Sequence, residues 1–264
     1  MIKTPEATAI VNLLRAARAE RSADNAQSTL RAALKRCDEW IANGGGVDAV
    51  LLKVQSLTDL ATESATPRLR SQYWQFTLDA ISRYHDEPAE QRLAACQAAV
   101  AVDCFQDPFS NTDQAARLQI LRAALRRVDA ALRQQATGVD AAILLARKAA
   151  LLRHIAIPEV APTPKKQRIA EAHRCAARAL TISRSKITVL EAAQSEWALA
   201  RYESTDRAYA ERIRTTETLF LDPTLRDSQA ARLAVARFYR MTYQPLLACE
   251  TYPTGTTGSM NPRQ

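Results

Sequence analysis

The chain has 264 residues, 47% apolar and 24% charged, a balance that excludes an intrinsically disordered protein and leaves ample length for a buried core. Lysine and arginine outnumber aspartate and glutamate 36 to 28, giving a net charge of +8. Only 6% is aromatic, so alanine and leucine must supply much of the packing, which favours closely approaching helices over a sheet.

Apolar periodicity predicts about eleven helices, at 5–21, 24–43, 47–63, 67–85, 88–104, 112–136, 139–156, 164–182, 186–203, 205–220 and 225–243. Thr4-Pro5-Glu6 opens the first and Thr66-Pro67 the fourth, each an N-cap followed by proline at the first helical position. Gly44-Gly45-Gly46 divides the second helix from the third, and no glycine interrupts a periodic segment. Most connections are short, so neighbours are expected to pack antiparallel. Ile157–Lys166 is the exception: Pro158, Pro162 and Pro164 make it an extended loop and the expected hinge. The longest apolar stretches meet a charge within a few residues, as Ala141–Ala146 meets Arg147, so no membrane span is expected. The expected fold is all-α, a solenoid of antiparallel helical hairpins forming one domain over 1–250, with a flexible tail at 251–264.

The array carries signs of internal duplication. Leu30-Arg31-Ala32-Ala33-Leu34 recurs as Leu121-Arg122-Ala123-Ala124-Leu125, and the match runs on through Arg36/Arg127 and Asp38/Asp129. One inserted residue later, Gly46-Val47-Asp48-Ala49 matches Gly138-Val139-Asp140-Ala141. Leu93-Ala94-Ala95-Cys96-Gln97 aligns with Leu190-Glu191-Ala192-Ala193-Gln194. Asp107-Pro108 with Gln114-Ala115-Ala116-Arg117-Leu118 returns as Asp222-Pro223 with Gln229-Ala230-Ala231-Arg232-Leu233. These matches predict copy one over about 24–112, copy two over about 113–227 and a partial third copy over 228–243.

In 187–243, Leu219-Phe220-Leu221-Asp222-Pro223, Arg201-Tyr202 and Arg237-Phe238-Tyr239 fall where tetratricopeptide-type repeats place a Leu-x-Leu-Asp-Pro ending and late first-helix tyrosines. The region resembles that family. Leu199 and Ser195 depart from it, standing where the family prefers a small residue and a tryptophan. The resemblance implies a right-handed α-solenoid whose concave face binds peptides or partner domains, and it names no ligand.

No constellation of residues specifies a reaction. His85, His154 and His173 are the only histidines, and none sits in a metal-binding or nucleophile motif. His173 and Cys175, two apart on a helix, point to nearly opposite sides. His154 ends an apolar helix, where a cation would favour the C-terminal dipole. Gly44-Gly45-Gly46 lacks the following Lys-Ser or Lys-Thr of a phosphate loop. Cys37, Cys96, Cys104, Cys175 and Cys249 are odd in number and include no CxxC pair, and Cys37 and Cys96 fall on apolar stripes, which suggests small buried side chains in a reducing, cytoplasmic setting. The expectation is no enzyme activity, no cofactor and no metal.

Charge is unevenly spread. Residues 111–186 hold 15 lysines and arginines against 5 acids, and the rest of the chain 21 against 23. With Leu118, Leu121, Leu125, Val128 and Leu132 facing inward, Arg122, Arg126 and Arg133 share a flank, and Lys165, Lys166, Arg168, Arg174 and Arg178 add to it. These eight are the candidate site for a partner or an anion. The leading expectation is a non-catalytic scaffold or sensor module that docks an acidic protein surface or peptide along a helical groove. A second is nucleic-acid or other polyanion binding through 111–186, although that region offers almost no aromatics for stacking. A third is the regulatory array of a larger enzyme continuing past Gln264.

Overall fold

The computed structural model describes residues 4–84, 89–110, 112–134 and 136–251, with residues 244–251 described by their backbone. The expected tail from 252 onward, His85 and the side chain of Cys249 lie outside the described residues. Among the described residues there are eleven α-helices, one 3-10 turn and no strand. The helices are α1 (Pro5–Ala19), α2 (Ala23–Ala42), α3 (Gly46–Glu63), α4 (Pro67–Ser82), α5 (Glu90–Gln106) and α6 (Gln114–Arg133). They continue with α7 (Gly138–Ala156), α8 (Pro162–Ile182), α9 (Lys186–Ala200), α10 (Asp206–Phe220) and α11 (Gln229–Thr251).

Local chemistry sets the ends. The hydroxyls of Thr4 and Thr66 accept from the backbone N–H groups of Ala7 and Leu69, as the Thr-Pro pairs predict. Asp113 and Thr205 cap α6 and α10 in the same way. Two boundaries differ from the sequence expectation. The loop expected over 157–166 spans only 157–161, because Pro162 and Pro164 enter the first turn of α8, where a missing N–H costs nothing. The last helix starts at Gln229 and not near 225. The Asp222 carboxylate accepts from the N–H and hydroxyl of Thr224, closing a turn at Pro223–Leu225, and Ser228 then caps α11 through Ala231.

From α1 to α10 consecutive helices pack on each other, α11 meets α10 through the Phe220 and Phe238 rings, and odd-numbered helices also touch in series: α1 with α3, α3 with α5, α5 with α7, α7 with α9, and α9 with α11. No two even-numbered helices make comparable contact among the described residues. A layer whose members touch beside a layer whose members splay must curve, with the odd helices on the concave side. The chain is therefore an all-α solenoid. Alanine permits the close inner layer: Ala94, Ala98 and Ala101 of α5 are buried against α6 and α7, and Ala192 and Ala193 of α9 are buried in turn. On α6, Leu121, Ala124, Val128 and Ala131 are fully buried, and Leu118, Leu125 and Leu132 pack half-buried beside them. The apolar stripe therefore centres on the alanine-bearing side of the expected leucine face.

The matched segments can be compared in place. Gly46 and Gly138 open α3 and α7 with φ of 59° and 56°, a left-handed conformation that favours glycine. The aligned Asp38 and Asp129 each pair with a lysine of the following helix, Lys53 at 2.6 Å and Lys148 at 2.9 Å. Asp107 and Asp222 both accept the N–H two residues on, from Phe109 and Thr224, and both take a guanidinium, from Arg70 and Arg184. The segments 114–118 and 229–233, matched in sequence, open an outer-layer and an inner-layer helix respectively.

The α4–α5 joint is sparsely packed compared with its neighbours, and polar contacts span it. From α6, Arg127 holds the Glu90 carboxylate at 2.6 and 2.8 Å, and also donates to Gln97 and to the carbonyls of Ile81 and Tyr84. Its sequence counterpart Arg36 is exposed and makes no hydrogen bond or ion pair among the described residues. We expect Arg127→Ala to lower the unfolding free energy by about 2 kcal/mol, since charge-assisted bonds at a largely buried site are lost. Arg36→Ala should change it by less than about 0.5 kcal/mol. Urea titrations of the two variants read the contrast, and equal effects would refute the clamp.

Candidate functional site

The concave side holds an open cleft of about 490 Å³. Its wall is built from successive inner helices: Gln106 ends α5, Arg153 and His154 lie in the last turn of α7, Trp197 and Ala198 lie late in α9, and α11 forms the far side. Along α11 the lining positions are Ala230, Leu233, Ala234, Arg237 and Met241, steps of three, four and seven that belong to one helix face. Lys165, from the first turn of α8, closes one rim.

Charge in the cleft is of one sign. Arg153, Lys165, Arg201 and Arg237 line it, and no lining residue is acidic. The Arg201 guanidinium lies over the Trp197 ring, 4.8 Å from the centroid, a cation–π contact that anchors the charge at the cleft. Trp197 is held in turn by Phe238 of α11, edge to face at 5.5 Å. Arg237 and Arg201 have no carboxylate partner among the described residues. Arg153 is more confined: it pairs with Glu191, donates to Gln194 at 2.7 Å, and keeps a buried Nε–H that donates to nothing.

Within this wall His154 is only 5% exposed. Burial first, then the neighbouring Arg153 and Arg237, lowers its pKa to about 4, so the ring is neutral at pH 7. This corrects the expectation of a cation favoured by the helix dipole: at a buried helix end the desolvation of a charge outweighs the dipole. The neutral ring donates from Nδ1 to the Ala150 carbonyl at 2.7 Å, and its Nε2 accepts from Gln106 Nε2 at 2.5 Å. The bond ties the ends of α5 and α7 together at the cleft floor.

Of the eight cations singled out in the sequence, only Lys165 lines the cleft, and its Nζ donates to the Ile157 carbonyl at 3.3 Å. Arg122, Arg126 and Arg133 project from α6, and Lys166, Arg174 and Arg178 from α8, all exposed on outer-layer helices. Arg168 is held by Glu159, with two bonds of 3.0 Å. That pairing, with Arg122 and Lys165 nearby, keeps the Glu159 carboxyl below its usual range. The structure thus gathers Arg122, Lys165 and Arg168 around one carboxylate and leaves the other five spread over the outer face. Arg153, Trp197, Arg201 and Arg237 are not among the cations and site residues expected from charge density. Their signal was present as helical spacing, Trp197 to Arg201 and Leu233–Arg237–Met241, but outside the stretch of greatest charge.

Other chemistry-bearing groups sit in structural roles. Burial pushes the Cys37, Cys96 and Cys104 thiols up to about 11 and raises that of Cys175, so all four are protonated, weakly nucleophilic thiols at pH 7. His173 bonds Glu196 at 2.5 Å, and Arg212 of α10 holds the same carboxylate at 2.8 Å. No group of three His, Cys, Asp or Glu among the described residues is arranged to hold a metal ion. No described helix is long and apolar enough to cross a membrane.

Because His154 falls from an ordinary 6.5 to about 4 on folding, the unfolded chain takes up the proton first as the pH drops. Its contribution is therefore complete above about pH 6.5 and is lost progressively toward pH 4, up to about 3 kcal/mol in all. Urea midpoints of the parent should fall across that window, and His154→Gln should flatten this limb. An unchanged acid limb in the variant would show that His154 does not titrate there.

Three comparisons with known proteins return nothing: no protein-family model, no curated protein and no solved structure matches the chain.

Proposed function

We propose that the protein is a non-catalytic scaffold that holds an acidic segment of a protein partner in the concave cleft of its C-terminal half. One observation carries the reading. Four cations line a cleft of about 490 Å³ with no acid among the lining residues, and beside them Leu233, Met241 and Ile157 lie exposed on an apolar wall. A solvated basic face accounts for scattered surface arginines. It does not account for guanidinium groups concentrated in a concavity and fixed on an aromatic ring, where a low-dielectric wall strengthens attraction for an anion.

The tetratricopeptide-like resemblance belongs to the same proposal, and it too places the ligand on the concave side. So does a duplication with a period of four helices, supported by the matched pairs α2/α6, α3/α7 and α5/α9, each pair lying within one layer. A third copy starting at 228 rests on sequence alone. The four free thiols fit a reducing cytoplasm.

A second reading has its own observation: Arg126, Arg133, Arg174 and Arg178 are exposed on the outer layer, have no carboxylate partner among the described residues, and lie on the same helices as the exposed Arg122, a surface available to a polyanion. One set of variants separates the two. A fluorescently labelled glutamate-rich peptide should bind the parent in low salt and weaken about tenfold or more in Arg201→Glu/Arg237→Glu. Arg122→Glu/Arg126→Glu/Arg133→Glu should leave that binding nearly unchanged. The reverse ranking, with single-stranded DNA bound by the parent and released by the triple variant, would replace the scaffold reading by the polyanion one.

A further inference from the structure

We infer that the segment held in the cleft is an acidic amphipathic helix, laid with its apolar face on the Leu233–Met241 face of α11. The inference rests on the scaffold reading and specifies the form of the partner.

The first argument is a count of acceptors. A chain crossing the cleft in extended form presents an unsatisfied N–H about every second residue on each side, and a buried amide without a partner costs on the order of 1–3 kcal/mol. The wall can barely answer them. It is made of helices, whose interior carbonyls are bonded within the helix, and its charged groups are all donors. Among lining side chains the neutral acceptors are Gln106, Gln194 and Tyr202. Gln194 Oε1 already accepts from Arg153, and His154 Nε2 is taken by Gln106. A helix brings its backbone bonds satisfied and offers only side chains. What this wall can receive is carboxylates, by Arg201 and Arg237, and apolar groups.

The second argument is shape. Ala156 and Ala198 on one side, and Ala230 and Ala234 on the other, bear only a methyl group toward the cleft, which lets a helix axis approach to about 8–10 Å. Leu233 is 67% exposed and Met241 45%, with Arg237 between them at steps of four residues. The stretch from Ala230 to Met241 is about 16 Å long, three helical turns. The complement of such a stripe is apolar, acidic, apolar at the same spacing.

Charge selects among occupants. Residues 252–264 of this chain contain no aspartate or glutamate, so the chain's own C-terminal end lacks the charge complementary to the cleft. A second copy would bring its own excess of +8 to a basic surface. An acidic segment of another protein meets both requirements.

The test uses the full chain and two labelled synthetic peptides of about sixteen residues, long enough for three to four turns. One has leucines at helical three- and four-residue spacing among glutamates; the other has the same composition with one central residue replaced by proline. The regular peptide should bind at least about tenfold more tightly by anisotropy and gain helical signal at 222 nm on binding. Leu233→Glu, at an exposed position, should keep the parent's melting temperature and lose about tenfold in affinity for the regular peptide. Equal binding of the two peptides, or binding without gain of helicity, overturns the helical form while the acidic-partner reading stands. Failure of both peptides, together with failure of the glutamate-rich probe, ends both.

Discussion

Helix α7 is surrounded by four other helices, and the rest of the array is arranged around that fact. It packs against α5 and α9 within the inner layer and against α6 and α8 in the outer one. Leu144 and Leu151 are fully buried on it, and so are Ala142, Ala146 and Ala149. Four neighbours can surround one helix only if its side chains are short where backbones come closest, and alanine supplies this at little cost in helix propensity. The single polar residue it buries, His154, is neutral and fully bonded, in keeping with the high cost of a charge there. The cleft opens where α7 ends, because past Ala156 the chain turns outward to α8 and α11 lies across the gap.

Much of the fold was legible because local rules act alone at helix ends. Threonine before proline, glycine in a left-handed turn and short linkers fixed most boundaries within a few residues. The errors arose where one rule met another. Three prolines predict an extended loop over 157–166, yet Pro162 and Pro164 fall in a first turn, the position where a helix accepts them. Its place at a helix end predicts a cation at His154, and burial makes the ring neutral instead.

The site was less legible, for a geometric reason. Periodicity shows which face of a helix is apolar but not which layer of a solenoid the helix joins. The basic stretch 111–186 spans both layers, and its most regular arginines, Arg122, Arg126 and Arg133, are on an outer helix. The concave surface instead collects one or two residues from each inner helix, far apart in the chain: Gln106, Arg153, Trp197, Arg237. Local charge density cannot register such a set.

The joint between α4 and α5 gives the array a mechanical character. Within the inner layer α3 and α5 barely touch, whereas α5, α7 and α9 are broadly packed, and in sequence order α4 and α5 share less contact than the pairs before and after them. Two stiff segments meet there, linked by the Arg127 clamp on one face and by Asp107 with Arg70 and Trp74 on the other. A bend at this joint lies outside the cleft, whose lining begins at Gln106 of α5. Such a bend would carry α1–α4 as a lever arm and leave the side of the cleft built by α5, α7 and α9 in place.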